Sequence, residues 1–332
     1  MMQLNFEQLK SLFTGVASFE EENGYLKLYR YTKKQMDFYK NTSDRNYLRA
    51  GASADIILDF NTDSTNLSFN CKIIRASSLQ MGYIDIYVDG KLKVHEGKMD
   101  NDENEIIIDF KMPIGTKRVT IYFPCLFSSQ IKDFRIDKDA YIEKIQKERK
   151  FMFFGDSITQ GYISEFPSLS YANLIGNKFD AEIMNQAIGG EFFDVTHLDD
   201  TLEFTPDVIF IAYGTNDWNS EKDITKNATE YFDKLTMLYP KAKIIDILPI
   251  WRTDIIVKNE IKKYTFDTAR SYIKDVCAKY DNVIVLDGFD YVPHFQNFYF
   301  DHVHPNELGY AYYANTLEND LIKILGVTKN EL

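Results

Sequence analysis

Four consecutive large apolar residues, Phe151 to Phe154, run straight into Gly155-Asp156-Ser157. Side chains alternate faces along a strand, so an uninterrupted apolar run ended by glycine predicts a short strand buried on both faces, as in parallel sheets. This requirement constrains the chain most, because such a sheet needs helices on both sides. The sequence after Lys150 supplies them. Candidate strands at 151–154, 182–188, 208–213, 243–250 and 282–287 alternate with helical spacing over 224–239 and 260–280, and the chain closes with helical spacing over 307–325. The expectation is an α/β domain over 151–332 with a parallel sheet and right-handed crossovers.

The preceding half has a different rhythm. From Ala52 to Asp137 short alternating segments follow one another without a helical period, and Asp89-Gly90 inside "VDGK" is a strong hairpin signal. An all-β sandwich, jelly-roll-like, is expected over 1–140, with the charge-dense stretch 141–150 as the linker. Two domains suit a chain of 332 residues.

Composition excludes some partners. A net charge of -12 without clustered Lys and Arg argues against nucleic acid and anionic membranes. Aromatic residues at 15%, including 22 Tyr and 25 Phe, argue against disorder. No basic stretch followed by an apolar run marks a signal peptide, and no segment reaches membrane-spanning length. Cys71, Cys125 and Cys277 are odd in number and far apart, so buried reduced thiols and a cytoplasmic location are expected.

The residues with chemical potential cluster just after the candidate strands, the sheet edge where open α/β folds bind ligands. Ser157 follows the first strand, "NQAIGG" the second and "GTND" the third, while "DHVHPNELGY" opens the last helix. Gly-Asp-Ser alone is also ordinary turn and cap chemistry, and Asn216 beside Asp217 is also a plausible helix cap. Taken together, however, these residues meet the needs of nucleophilic catalysis. A serine hydroxyl requires a base, and the base works best when a third group orients it. Ser157, His304 and Asp301 fill these roles, with the backbone N–H groups of Ser157 and Gly190 and the Asn216 amide as oxyanion donors. A metal site at Asp301, His302 and His304 is the rival reading, but further ligands at recognisable spacing are lacking. Neither metal nor cofactor is expected.

The second half resembles the SGNH, or GDSL-type, hydrolase family, with "GDSITQG", "NQAIGG", "GTND" and "DHVHP" matching its four blocks in order over about 150–332. The resemblance implies a flavodoxin-like α/β/α fold and cofactor-free ester hydrolysis through an acyl-enzyme. It assigns Ser157 as nucleophile, His304 as base, Asp301 as its orienter, and Ser157, Gly190 and Asn216 as the oxyanion hole. Gly189 and Gly190 compete for the glycine role, and Gly190 fits better when Asn185 anchors the match. Asp156 sits beside the nucleophile with capping and loop support as its expected task. A sandwich ahead of such a domain is similar to two-domain carbohydrate esterases that remove acetyl groups from plant polysaccharides. Some of those use a serine–histidine pair alone, whereas this chain keeps Asp301.

The expected substrate is therefore an O-acetylated carbohydrate, an oligosaccharide ester, with Trp218 and Trp251 as candidate stacking platforms and Arg252 as a further contact. Packing between loops is the plainer role for both indoles, and pairing with an acid the plainer role for Arg252. A general short-chain carboxylesterase, lipase or thioesterase is the alternative enzyme. An inactive carbohydrate-binding protein is the alternative from another class. The sandwich is expected to shield the cleft rather than to bind sugar.

Overall fold

The computed structural model describes residues 1–99, 101–218, 220–255 and 264–328. The chain divides into two compact units, Met1–Lys147 with Ser164–Ser168, and Glu148–Ile163 with Leu169–Leu332.

The first unit contains two six-stranded antiparallel sheets. One runs Ser18–Glu22, Tyr25–Tyr29, Phe127–Ile136, Asn66–Arg75 and Glu103–Lys111, with Met2–Gln3 also paired to Phe127–Ile136. The other runs Ile142–Lys144, Ile57–Thr62, Lys117–Tyr122, Met81–Val88 and Lys91–Met99, with Phe13–Thr14 beside Ile57–Thr62. Burial alternates residue by residue along Asn66–Arg75, as a strand with one face on a core requires. The sheets pack face to face. Phe60 of one meets Phe134 of the other at 6.1 Å between ring centroids, and a side chain at Gly82 would come within 2.7 Å of Ile73 Cδ1. The expected hairpin is present, with Asp89 and Gly90 at φ 50 and 71 between the paired residues Val88 and Lys91. Positive φ at both positions matches the right-handed twist of the flanking strands. Two helices, Lys33–Thr42 and Asp44–Ala50, precede the strands read from sequence and are N-capped by Thr32 and Ser43.

The second unit is built on five parallel strands in the order Ala181–Asn185, Arg149–Gly155, Val208–Ala212, Lys243–Ile247 and Val283–Leu286. The strand that comes second in the chain lies at the edge, outside the first, which is the flavodoxin-like arrangement. Phe151 to Gly155 are all buried, as the apolar run predicts. Phe151 and Phe153 belong to a core with Tyr171, Tyr310, Tyr313 and Leu317, from the helices Tyr171–Lys178 and Glu307–Leu325. Phe154 meets Tyr231 of helix Ile224–Leu238, and helix Phe266–Cys277 packs beside that helix. Each buried aromatic side chain contributes roughly 1.5–3 kcal/mol.

Boundaries differ from expectation for local reasons. The second strand stops at Asn185 rather than Ile188, because Asn185 Oδ1 accepts the Ala187 N–H and turns the chain away. The fourth stops at Ile247, two residues before Pro249, which has no N–H for a ladder. The expected helix 260–280 is Phe266–Cys277, capped by Thr265, and 260–263 lie outside the described residues. The stretch 141–150, expected as a linker, holds the strand Ile142–Lys144 and the start of Arg149–Gly155. All three cysteines are free and buried. Among the described residues no helix is long and apolar enough to cross a membrane.

Candidate active site

Ser157 lies two residues past the end of the first strand, in a turn tied by Gln160 N–H to Asp156 O and Tyr162 N–H to Ser157 O. Gly155 is required there. A β-carbon would fall 2.3 Å from Thr159 Oγ1 and 2.9 Å from Ala212 O, so the turn that carries Ser157 could not close against the third strand. Gly155→Ala should cost about 1–3 kcal/mol through overpacking. It should lower the melting temperature by roughly 2–4 °C per kcal/mol in a scanning calorimeter.

Ser157 Oγ is 2.8 Å from His304 Nε2, and His304 Nδ1 is 2.8 Å from Asp301 Oδ2. Asp301 Oδ1 also accepts the backbone N–H groups of Val303 (2.7 Å) and His304 (2.8 Å). Burial pushes the Asp301 carboxyl up, but these bonds from the His304 ring and the backbone outweigh it and hold the group well below the usual carboxylate range. An ionised Asp301 fixes the imidazole proton on Nδ1 and leaves Nε2 to accept from the serine hydroxyl. The tyrosine ring of Tyr162 packs on His304 at 4.3 Å between centroids, and Tyr310 Oη donates to Tyr162 O at 2.7 Å. His302 instead bonds Thr253 through Nδ1. Among the described residues no group of three or more His, Cys, Asp or Glu is placed to hold a metal ion.

Polar side chains tie the loop after the second strand to this turn, and the loop after the third strand to the loop after the second. Asn185 Nδ2 donates to Thr159 O, and Gln160 Oε1 accepts the Gly189 N–H at 2.7 Å. Gly190 takes φ 81, a conformation natural to glycine. No acceptor among the described residues takes the N–H of Ser157 or Gly190. Asn216 Nδ2 spends one hydrogen on Glu191 O, at 2.9 Å. Asp217 receives the N–H groups of Phe193 and Gly214, and burial pushes its carboxyl up to about 7. Asp156 accepts the Ile158 N–H, and burial likewise pushes it up to about 7. Gln160, Asn185 and Asp217 lie inside the motifs already quoted, yet their binding of one loop to another depends on contacts that sequence spacing does not show.

Both tryptophans are buried. Trp218 is 4% exposed, with Phe266 edge-on and the Arg252 guanidinium 4.8 Å over its ring. Trp251 is 9% exposed and stacks on His294 at 4.9 Å, with Tyr299 at its edge. Arg252 pairs through two hydrogen bonds with Asp254 and donates to Thr215 O.

A flavodoxin-ordered sheet with Ser157, His304 and Asp301 joined by hydrogen bonds at its edge is an arrangement able to support ester hydrolysis. Residues 153–312 match the model of the GDSL-like lipase/acylhydrolase family, a match that supports an ester-hydrolysing enzyme. No curated protein sequence matches the chain. Among solved structures it is similar to the salicylyl-acyltransferase SsfX3 from a tetracycline biosynthetic pathway, at 20% identity and a TM-score of 0.83, over 96% of this chain and 95% of that one. It is also similar to a family two carbohydrate esterase from Clostridium thermocellum in complex with cellohexaose, at 17% and 0.67, over 95% and 99%. An acetyl xylan esterase, Est2A, from Butyrivibrio proteoclasticus matches at 16% and 0.58, over 82% and 90%. At these identities the likeness speaks to the fold.

Proposed function

We propose that the chain is a serine esterase that removes small acyl groups, acetyl foremost, from carbohydrate esters through an acyl-enzyme. The observation that carries the chemistry is the continuous Ser157–His304–Asp301 hydrogen-bonded chain. Ser157 Oγ attacks the ester carbonyl while His304 Nε2 takes its proton. The oxygen that becomes negative is met by the N–H groups of Ser157 and Gly190 and by the second Asn216 amide hydrogen. The uncommitted Gly190 N–H, against the Gly189 N–H spent on Gln160, supports Gly190 as the donor. His304 then gives its proton to the alkoxy oxygen as the carbon–oxygen bond breaks. In the second half-reaction water attacks the acyl-enzyme, His304 takes the water proton, and Ser157 is regenerated with release of the acid.

The carbohydrate assignment draws on the structurally similar carbohydrate esterase and acetyl xylan esterase. Because the Trp218 and Trp251 indoles are covered by neighbouring side chains, the proposal takes no stacking platform from them.

Substrate class is tested by kcat/KM on acetylated xylo-oligosaccharides against p-nitrophenyl acetate, butyrate and octanoate. The expected result is a marked preference for the acetylated sugar and a fall in kcat/KM with chain length. Equal turnover of long-chain and acetyl esters would assign a general carboxylesterase instead. Absence of turnover together with absence of fluorophosphonate labelling would assign an inactive binding protein.

A further inference from the structure

Glu191 and His197 form a buried pair, with Glu191 Oε2 3.0 Å from His197 Nε2 and side chains only 5% and 3% exposed. Taking a carboxyl group and an imidazole out of water is costly unless each is well partnered. Burial alone gives no reason for the pair, but its place in the fold does. Glu191 directly follows Gly190, its N–H donates to Ile188 O at 3.2 Å, and its carbonyl accepts the Asn216 amide at 2.9 Å. One residue therefore touches both loops that carry the glycine and asparagine donors. His197 ends the short turn Val195–His197, whose chain is held by the His197 N–H on Asp194 O. Lys234 of helix Ile224–Leu238 fixes the next residue by donating to Leu198 O at 2.6 Å. On its other side, the His197 ring nitrogen Nδ1 lies 3.4 Å from Tyr213 Oη, two residues before Thr215 and three before Asn216.

We infer that the Glu191–His197 pair is a positioning device for the oxyanion hole. The side-chain contact pins Glu191 to a segment anchored on a helix, and the pinned backbone carbonyl then holds one hydrogen of the Asn216 amide. An amide has two such hydrogens in a fixed plane, so capturing one sets the direction of the other. Donors aimed in advance at the developing oxyanion stabilise the transition state without reorganising during the reaction. The inference rests on the catalytic reading above and assigns Glu191 and His197 no contact with substrate.

The test is a double-mutant cycle read in kcat and KM on p-nitrophenyl acetate, with active sites counted by fluorophosphonate labelling and Ser157→Ala as the reference for the catalytic reading. Glu191→Ala should lower kcat roughly tenfold or more with little change in KM, because a donor that acts mainly in the transition state is being misaligned. Glu191→Gln, which retains an oxygen to accept from His197, should recover most of that loss. The double variant Glu191→Ala/Asn216→Ala should be no slower than Asn216→Ala, because Glu191 acts through that amide. If Glu191→Ala does not fold, His197→Gln takes its place in the cycle with the same expectations. Multiplying losses in the double variant, or an unchanged kcat in the single ones, would overturn the inference while Ser157→Ala remained inactive. Activity in Ser157→Ala would instead overturn the catalytic reading on which it rests.

Discussion

Ser157→Ala is expected to lower kcat/KM on p-nitrophenyl acetate by about four orders of magnitude or more, with the far-ultraviolet circular dichroism spectrum and the melting temperature unchanged. The size follows from the role. Removing the nucleophile of a serine–histidine–aspartate site forfeits covalent catalysis and leaves only the contribution of oxyanion donors and binding. Structure is spared because a hydroxyl that is hydrogen-bonded to His304 and 9% exposed can be replaced by hydrogen without opening a cavity of consequence. His304→Ala should be nearly as damaging, and combining the two should add little, since they act as one unit. Asp301→Asn should lose less than either. The orienting group stabilises the imidazolium and selects the tautomer, but the serine and histidine remain in place.

The second large effect concerns stability and pH. Asp246 lies on the fourth parallel strand, buried, with the weakly donating Cys277 thiol beside its carboxyl group. Burial pushes its carboxyl up to about 8, and the neighbouring Cys277 thiol offsets part of that. An acid whose folded pKa exceeds its unfolded value binds more protons in the native state. Stability is therefore full below about pH 4 and falls as pH rises toward 8, at up to roughly 1.4 kcal/mol per pH unit. Asp156 and Asp217, both pushed up by burial to about 7, act in the same direction over much of the same range. Asp301 runs the other way, its stabilisation being lost only as pH drops below the ordinary carboxylate range. Wild-type protein should consequently melt at a lower temperature at pH 8 than at pH 5. Asp246→Asn, which cannot ionise, should be more stable than wild type at pH 8 by on the order of a few kcal/mol, with that advantage shrinking toward pH 5. Parallel melting curves for the two proteins across this range would contradict the account.

Much of this is legible in the sequence. The apolar run from Phe151 to Phe154 can satisfy both faces only inside a covered sheet, and Asp89-Gly90 can close only a tight hairpin, so short-range chemistry determined both. Ser157, Asp301 and His304 stood out as a set because a serine, a base and an orienting acid at strand ends and a helix entrance suit nucleophilic chemistry, and the structure joins the three by hydrogen bonds. The polar braces were not. Gln160, Asn185 and Asp217 read as turn residues until their partners, which are distant in sequence or set by backbone geometry, are known. Glu191 and His197 carry no periodic signal, and a six-residue separation in a loop does not indicate a buried pair. Asp246 was absorbed into an apolar strand, and nothing local distinguishes a buried carboxyl from one on an exposed face. The grouping of Ser164–Ser168 with the first unit was likewise invisible, because it depends on contacts such as Ser168 to Asp85, which are far apart in sequence.

The most direct test of the central claim is mass spectrometry of the protein quenched during turnover of p-nitrophenyl acetate, with peptide mapping of the acetyl group. Acetylation is expected on Ser157, appearing with the initial burst of p-nitrophenol and absent in Ser157→Ala. Turnover without that adduct, with Ser157→Ala fully active or the acetyl group on another residue, would show that the hydrogen-bonded chain at the sheet edge is not the catalytic apparatus.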